Sequence, residues 1–219
     1  MADDARATLE LKGVAKSYGA RTVFQDVSHT FTPGLTLLTG PSGAGKSTLL
    51  RLIATVENPN RGAIAWNGAK LSSARGKLRA TLGYAPQAVD LPEDLTAREF
   101  AMHIASLKGL SLAAADKQFG AITEAIGLHA DINNRIASFS GGMRRRLVFA
   151  QAMLGEPRLL ALDEPTAELD LETARKLGSL ILGRARAAAV VMTTHLADEL
   201  APHAQAVLRV EAGRVVSAP

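Results

Sequence analysis

Along residues 7 to 38, apolar and polar side chains alternate in short runs, with breaks at Ser17-Tyr18-Gly19 and Thr32-Pro33-Gly34. That is the pattern of strands burying one face. Gly62-Ala63-Ile64-Ala65-Trp66 followed by Asn67-Gly68 reads as a further strand and its turn, so an antiparallel layer is expected. From Leu95 to about Ala130 the spacing becomes helical, with Thr96 or Asp94 as the cap and Glu99 and Phe100 entering an apolar stripe. A second helix is predicted through Met143–Ala150 and a third from about Leu171. The runs Leu159-Leu160-Ala161-Leu162 and Ala189-Val190-Val191-Met192 read as apolar strands, and Val210 to Val216 as a hairpin turning at Ala212-Gly213. This alternation of strand and helix predicts a mostly parallel α/β core. No repeat or linker is evident.

Between the strand predicted at Leu35-Thr36-Leu37-Leu38 and a helix opening at Thr48-Leu49-Leu50-Arg51 lies Gly40-Pro41-Ser42-Gly43-Ala44-Gly45-Lys46-Ser47, a complete G-x-x-x-x-G-K-[ST] loop. Its glycines let the backbone curl so that successive N–H groups face a phosphate chain. Lys46 is placed to balance the β- and γ-phosphates, Ser47 to ligate Mg²⁺, and the helix to aim its positive end at the same anion. Nucleoside triphosphate binding is the expectation.

At 219 residues with 47% apolar composition, the chain can fill one large domain or two small ones. No apolar run approaches the roughly 20 residues that cross a bilayer, and Met1-Ala2-Asp3-Asp4-Ala5 begins with acids where a signal peptide carries bases, so a cytosolic location is expected. The absence of cysteine excludes disulfides and thiolate metal sites, and five scattered histidines suggest no metal cluster. A net charge of +4 raises the question of nucleic acid. The bases are dispersed and aromatics are only 4%, so no nucleic-acid partner is expected. The one dense basic cluster, Arg144-Arg145-Arg146, follows Phe139-Ser140-Gly141-Gly142-Met143.

The strand at Leu159 ends in Asp163-Glu164, where a phosphate-loop protein holds Mg²⁺ and orients a water. With Ser140-Gly141-Gly142 between the two motifs, the chain resembles the ATP-binding cassette (ABC) family, whose signature has the form Leu-Ser-Gly-Gly-Gln. The resemblance spans about Ala7 to Ser217, with the motifs in order. Tyr84-Ala85-Pro86-Gln87 looks like the Q-loop, Ala167-Glu168-Leu169-Asp170 like the D-loop and Thr193-Thr194-His195 like the switch histidine.

The resemblance implies an α/β fold with a P-loop NTPase (RecA-like) core, a flanking antiparallel β subdomain and an inserted α-helical subdomain. One nucleotide-binding domain, 6–219, would carry the helical signature subdomain at about 88–155. It further implies an ATPase using ATP and Mg²⁺. Tyr18 would stack on adenine, as its flat ring suits. Gly40, Ser42, Gly43, Ala44, Gly45, Lys46, Ser47 and Thr48 would hold the phosphates. Ser47, Gln87 and Asp163 would meet the metal, and Glu164, His195, Lys46 and Gln87 would serve hydrolysis. Ser140, Gly141 and Gly142 would face the nucleotide of the opposite subunit, making the active unit a head-to-tail dimer with an identical or similar ATPase subunit. Met143 stands where the family has glutamine. Glu168 stands where a small residue is common, which adds an acid near the partner.

The run Ser140–Leu147 looks like the signature of the ABC-2-type exporter subgroup of drugs, antibiotics, lipids or polysaccharides. It implies an integral-membrane transport subunit and a peripheral position on the inner face of the cell membrane. Leu91, Pro92, Leu95, Phe100 and Met102 would offer that subunit an apolar surface, or form one buried helix face. Two other readings are a soluble ATP-switched dimer in DNA maintenance or translation and a regulator that barely hydrolyses. The first commonly adds a coiled coil or second cassette, which this sequence lacks. Glu164 and His195 argue against the second.

Overall fold

The computed structural model describes residues 7–88, 90–195 and 197–217. The acidic Met1–Ala5 start, Arg6 and Ala218-Pro219 at the predicted domain edges, and Val89 lie outside them. In chain order the elements are β1 (Leu9–Tyr18), β2 (Arg21–Phe31), β3 (Gly34–Thr39), α1 (Lys46–Ile53), β4 (Arg61–Trp66), β5 (Ala69–Lys70), α2 (Leu71–Ala80) and β6 (Leu82–Ala85). There follow α3 (Ala97–Leu107), α4 (Leu112–Ala125), α5 (Gly141–Met153), β7 (Leu159–Asp163), α6 (Leu171–Ala185), β8 (Ala189–Thr193), α7 (Ala197–Leu200), β9 (Ala206–Glu211) and β10 (Arg214–Ser217).

Every residue of β7 and β8 is buried. A strand in mid-sheet with both faces covered has no need to alternate with polar residues, which is why both read as continuous apolar runs. Successive side chains nonetheless go to opposite faces. Leu160, Leu162, Val190 and Met192 join the core shared with α3 to α6, while Leu159, Ala161, Ala189 and Val191 join the core shared with α1, α2 and the β layer. The two strands sit in a sheet of order β10-β9-β3-β8-β7-β6. All its pairings are parallel except β9 with β10. The second sheet, β2-β1-β4-β5, is antiparallel throughout. The α/β fold predicted from the sequence is the one observed.

The helical stretch predicted from Leu95 is two helices, broken at Gly109, whose φ is +72°. Thr96, not Asp94, is the cap: its hydroxyl accepts from Glu99 N at 3.1 Å while Glu99 Oε2 accepts from Thr96 N at 2.8 Å. This reciprocal box satisfies two otherwise orphaned donors. Helix α5 begins at Gly141, two residues before its expected start, because Ser140 Oγ accepts from Met143 N at 3.3 Å. Of the apolar residues after Gln87, Leu91 is buried, the others are half-buried, and Phe100 and Met102 pack on the core.

Helix α5 is pressed onto the sheet at Gly83 of β6. A Cβ built there would stand 2.1 Å from Ala152 O and 2.5 Å from Leu160 Cδ2. Gly76, inside α2, faces open space. Gly83→Ala is therefore expected to destabilise by about 1–3 kcal/mol or more through overpacking. Gly76→Ala should stabilise by roughly 0.5–1 kcal/mol by restricting the unfolded chain. Urea denaturation of the two variants checks the pair, and equal effects would contradict the packing argument.

Candidate functional site

Because β3, β6, β7 and β8 run parallel, their carboxyl ends open at one edge of the sheet, the place where an α/β fold binds ligands. The phosphate loop leaves β3, Gln87 follows β6, Asp163-Glu164 ends β7, and Thr194-His195 follows β8. These segments line a cleft of about 730 Å³, together with Tyr18 and Arg21 from the β layer.

Gly40, Gly43 and Gly45 hold φ of +128°, +74° and +109°. A Cβ on Gly40 would lie 2.2 Å from Val210 O, and one on Gly45 would lie 2.7 Å from Val23 Cγ1. Glycine is thus required at both positions by backbone angle and by contact. Lys46 folds back over the loop, donating from Nζ to Gly40 O at 2.7 Å and Pro41 O at 3.0 Å. Ser42, Ser47 and Thr48 line the cleft, whereas the side chain of Ala44 packs against the β-layer core. Arg21, missed by the sequence reading, donates to Gly43 O at 3.1 Å and braces the loop.

Asp163 and Glu164 are only 5% and 8% exposed. In sheet register Asp163 is opposite Thr193, whose buried hydroxyl donates to Asp163 Oδ1 at 2.7 Å and accepts from Glu164 N at 2.9 Å. Glu164 takes a left-handed φ of +51°, uncommon without glycine. Its Oε2 accepts from the backbone N–H of His195 at 3.1 Å. The His195 ring is 84% exposed, with Nε2 3.6 Å from Glu164 Oε1. Burial pushes the Glu164 carboxyl above its ordinary value of 4.5. Nearby His195 draws it down, Asp163 pushes it up again, Lys46 draws it down, and the net shift is upward.

Tyr18, 41% exposed, stands at the other end of the cleft. Its hydroxyl donates to Glu57 Oε2, and Glu57 also binds Lys16 at 2.8 Å and Arg51 at 2.7 Å. Burial alone would raise the Glu57 carboxyl, but hydrogen bonds from Lys16, Tyr18 and Arg51 outweigh it and hold the group below its usual range. Arg51 also donates to Thr48 Oγ1 at 3.1 Å, so the ring is tied to the helix that follows the phosphate loop. Nothing in the sequence pattern marked Glu57, which lies in an irregular turn 39 residues from Tyr18.

Ser140, Gly141 and Gly142 are not part of the cleft. They lie beside the D-loop segment: Cβ atoms on Gly141 and Gly142 would stand 3.5 Å from Glu168 Oε2 and 3.8 Å from Glu168 O. The three arginines that follow diverge because each helical residue turns by about 100°. Arg144 pairs with Glu93, Arg145 with Glu168, and Arg146 reaches the carbonyls of Ile126 and Gly127.

A phosphate loop leaving β3 and paired acids at the end of buried β7, with β8 between the two strands, define a phosphate-loop nucleoside triphosphatase. Residues 24–167 match the family described as ABC transporter, and the chain belongs to that family. It is 35% identical over 214 residues to Nod factor export ATP-binding protein I of Rhizobium johnstonii, covering 95% of this chain and 68% of that one. The linearmycin resistance ATP-binding protein LnrL of Bacillus subtilis is 31% identical over 200 residues, covering 88% and 62%. The ATP binding subunit of an ABC transporter superposes with a TM-score of 0.85 at 29% identity, covering 96% of this chain and 89% of that one. A cassette in a post-hydrolysis state with ADP and Pi gives 0.85 at 25%, covering 94% and 96%. The chain is accordingly an ATPase that binds ATP. Among the described residues no helix is long and apolar enough to cross a membrane.

The raised Glu164 carboxyl has a sign that can be checked. A carboxyl whose folded pKa exceeds its unfolded value gives stability fully present below about pH 4.5 and lost as pH rises through the folded pKa. Glu164→Gln should therefore raise Tm near pH 7.5, with the gain shrinking toward about pH 4.5 in thermal melts. A gain growing toward acid pH would reverse the assignment.

Proposed function

We propose that this chain is the ATP-hydrolysing subunit that powers export through a separate integral-membrane subunit, working as a head-to-tail dimer. The observation that carries it is the convergence of Lys46, Asp163, Glu164 and His195 on one cleft at the carboxyl ends of adjacent parallel strands. The names of the relatives from Rhizobium and Bacillus, export and resistance ATP-binding proteins, support the direction of transport. The whole of 6–219 acts as one nucleotide-binding domain, with 88–155 as its helical signature subdomain.

In this reading Tyr18 stacks on adenine, and Gly40 with the loop amides of Ser42 to Thr48, Ala44 included, hold the phosphates. Lys46 exchanges its contacts with Gly40 O and Pro41 O for the β- and γ-phosphates. Glu164 polarises the water that attacks the γ-phosphorus, the bond to the bridging oxygen breaks, and ADP and phosphate leave. A carboxyl raised by burial is a better base than an exposed one. His195 donates to the γ-phosphate from a ring free to swing toward it. The donors Ser47 Oγ, the Gln87 amide oxygen and the Asp163 carboxylate are all hard oxygens lining the same cleft, a set that suits Mg²⁺. When bound, that ion neutralises charge on the phosphates.

Because Ser140, Gly141 and Gly142 stand outside their own chain's cleft, they serve the nucleotide of the second subunit, with the amino end of α5 directed at its γ-phosphate. The membrane subunit docks on the surface following Gln87, where half-buried Pro92, Leu95, Phe100 and Met102 offer edges, and the chain sits peripherally on the inner face of the membrane.

Steady-state ATPase assays test the chemistry. Lys46→Ala should abolish nucleotide binding or hydrolysis. Glu164→Gln should retain ATP binding and lose roughly 100-fold or more in kcat; near-normal turnover would place the catalytic carboxylate elsewhere.

Sizing of Glu164→Gln with and without Mg-ATP tests the composite site. The ATP-dependent dimer should disappear when Gly142→Asp is added. A Cβ on Gly142 meets only ordinary contacts of 3.8 Å within its own chain. A double variant that dimerises equally well would refute the arrangement.

A further inference from the structure

Of the three consecutive arginines on α5, Arg145 alone turns toward the catalytic segment. Its side chain is only 17% exposed. Nη1 donates to Glu164 O at 3.1 Å and Nη2 to Glu168 Oε1 at 3.3 Å, while its buried Nε–H has no hydrogen-bond acceptor among the described residues. Leaving a buried donor unmatched costs stability, so packing alone is a poor explanation for a guanidinium here. Both of its acceptors belong to residues in the left-handed region, Glu164 at φ +51° and Glu168 at +63°. Non-glycine residues stay there only when their surroundings hold them. Glu164 is held at several atoms: Thr193 takes its N–H, Ala167 N and Arg145 reach its carbonyl, and His195 N–H reaches its carboxylate. Of these, Arg145 alone comes from the signature helix. Its planar fork spans two acceptors, a task for which a lysine ammonium is too compact.

We propose that Arg145 is a positioning residue for ATP hydrolysis. Its fork clamps the Glu164–Glu168 turn to the first turns of α5, keeping the Glu164 carboxylate aimed into the cleft and passing any movement of Ser140-Gly141-Gly142 to Glu164 of the same chain. The same contact pins Glu168, so the acid that stands out in the D-loop is balanced within its own chain. The proposal rests on Glu164 being the group that polarises the water.

The test is steady-state ATPase with ADP affinity measured alongside. Arg145→Ala should lower kcat about tenfold or more while KM for ATP and Kd for ADP stay within about twofold. Arg145→Lys, able to reach one acceptor but not both, should lose less. In the Glu164→Gln background, Arg145→Ala should cause no further loss of the residual rate, because the group it positions is already disabled. Undiminished kcat in Arg145→Ala beside a crippled Glu164→Gln would overturn the proposal alone. So would an equal fold-loss in both backgrounds, or a matching loss of ADP affinity, either of which marks a general structural defect. Near-normal turnover by Glu164→Gln itself would overturn the Glu164 reading and the proposal with it. If Arg145→Ala does not fold, Arg145→Lys and Arg145→Gln in the same two backgrounds decide by the same criteria.

Discussion

Coverage of β7 and β8 on both faces is the constraint on which the nucleotide cleft depends. Helices α3 to α6 on one side, and α1 and α2 with the β layer on the other, leave these strands no freedom to slide, since a one-residue slip would send every side chain to the wrong face. Fixed register sets Asp163 opposite Thr193, and the Thr193 hydroxyl then serves both acids, donating to one carboxylate and accepting from the other residue's N–H. Two carboxylates stand next to each other here in a nearly dry setting, where burial first, and the charge of Asp163 after it, push the Glu164 carboxyl up. They are tolerated here because the strand ends hold them whether or not that arrangement is comfortable. The upward shift of Glu164 is thus a product of the packing that makes the strands apolar.

The site has two ends with different mechanical support. At the phosphate end, backbone groups dominate: the curled glycines, the Lys46 bridge and the Arg21 brace all act on carbonyls of the loop. At the Tyr18 end, support comes from side chains, with Glu57 collecting Lys16, Arg51 and the tyrosine hydroxyl. Arg51 belongs to both, since it lies on α1 and also binds Thr48. Much of this is partly exposed, so its worth lies in geometry more than in stability.

The elements legible in the sequence were those whose signal is local. The glycine pattern of the phosphate loop, the apolar runs of β7 and β8 and the Ala212-Gly213 turn each carry their cause within a few residues. Helix α2 was not legible: Ser72, Ser73 and Gly76 dilute its apolar spacing, and only Leu71, Ala74 and Leu78 are buried. Strand β6 is four residues long, and its Gly83 is explained by Ala152, far along the chain. The candidate nucleotide residues from Gly40 to Thr48 and the pair Asp163-Glu164 were readable as motifs. Arg21, Glu57, Thr193 and the separate duties of Arg144, Arg145 and Arg146 were not, because each is defined by a partner that no spacing rule can locate.

Strand β3 carries a consequence for how the site comes into being. Its two neighbours in the sheet are β8 and β9, so Leu35 pairs with Val190 and Leu37 with Val207 across separations of more than roughly 150 residues. Gly40, the first residue of the phosphate loop, is shaped against Val210 O of β9. The anion cradle looks like a short local motif, yet its walls are supplied from the far part of the chain. On a ribosome, the loop and its helix would emerge early and wait, unable to take their final form, until the strands after residue 188 had left the exit tunnel. Nucleotide binding in this sense waits on strands β8 and β9 taking their places beside β3.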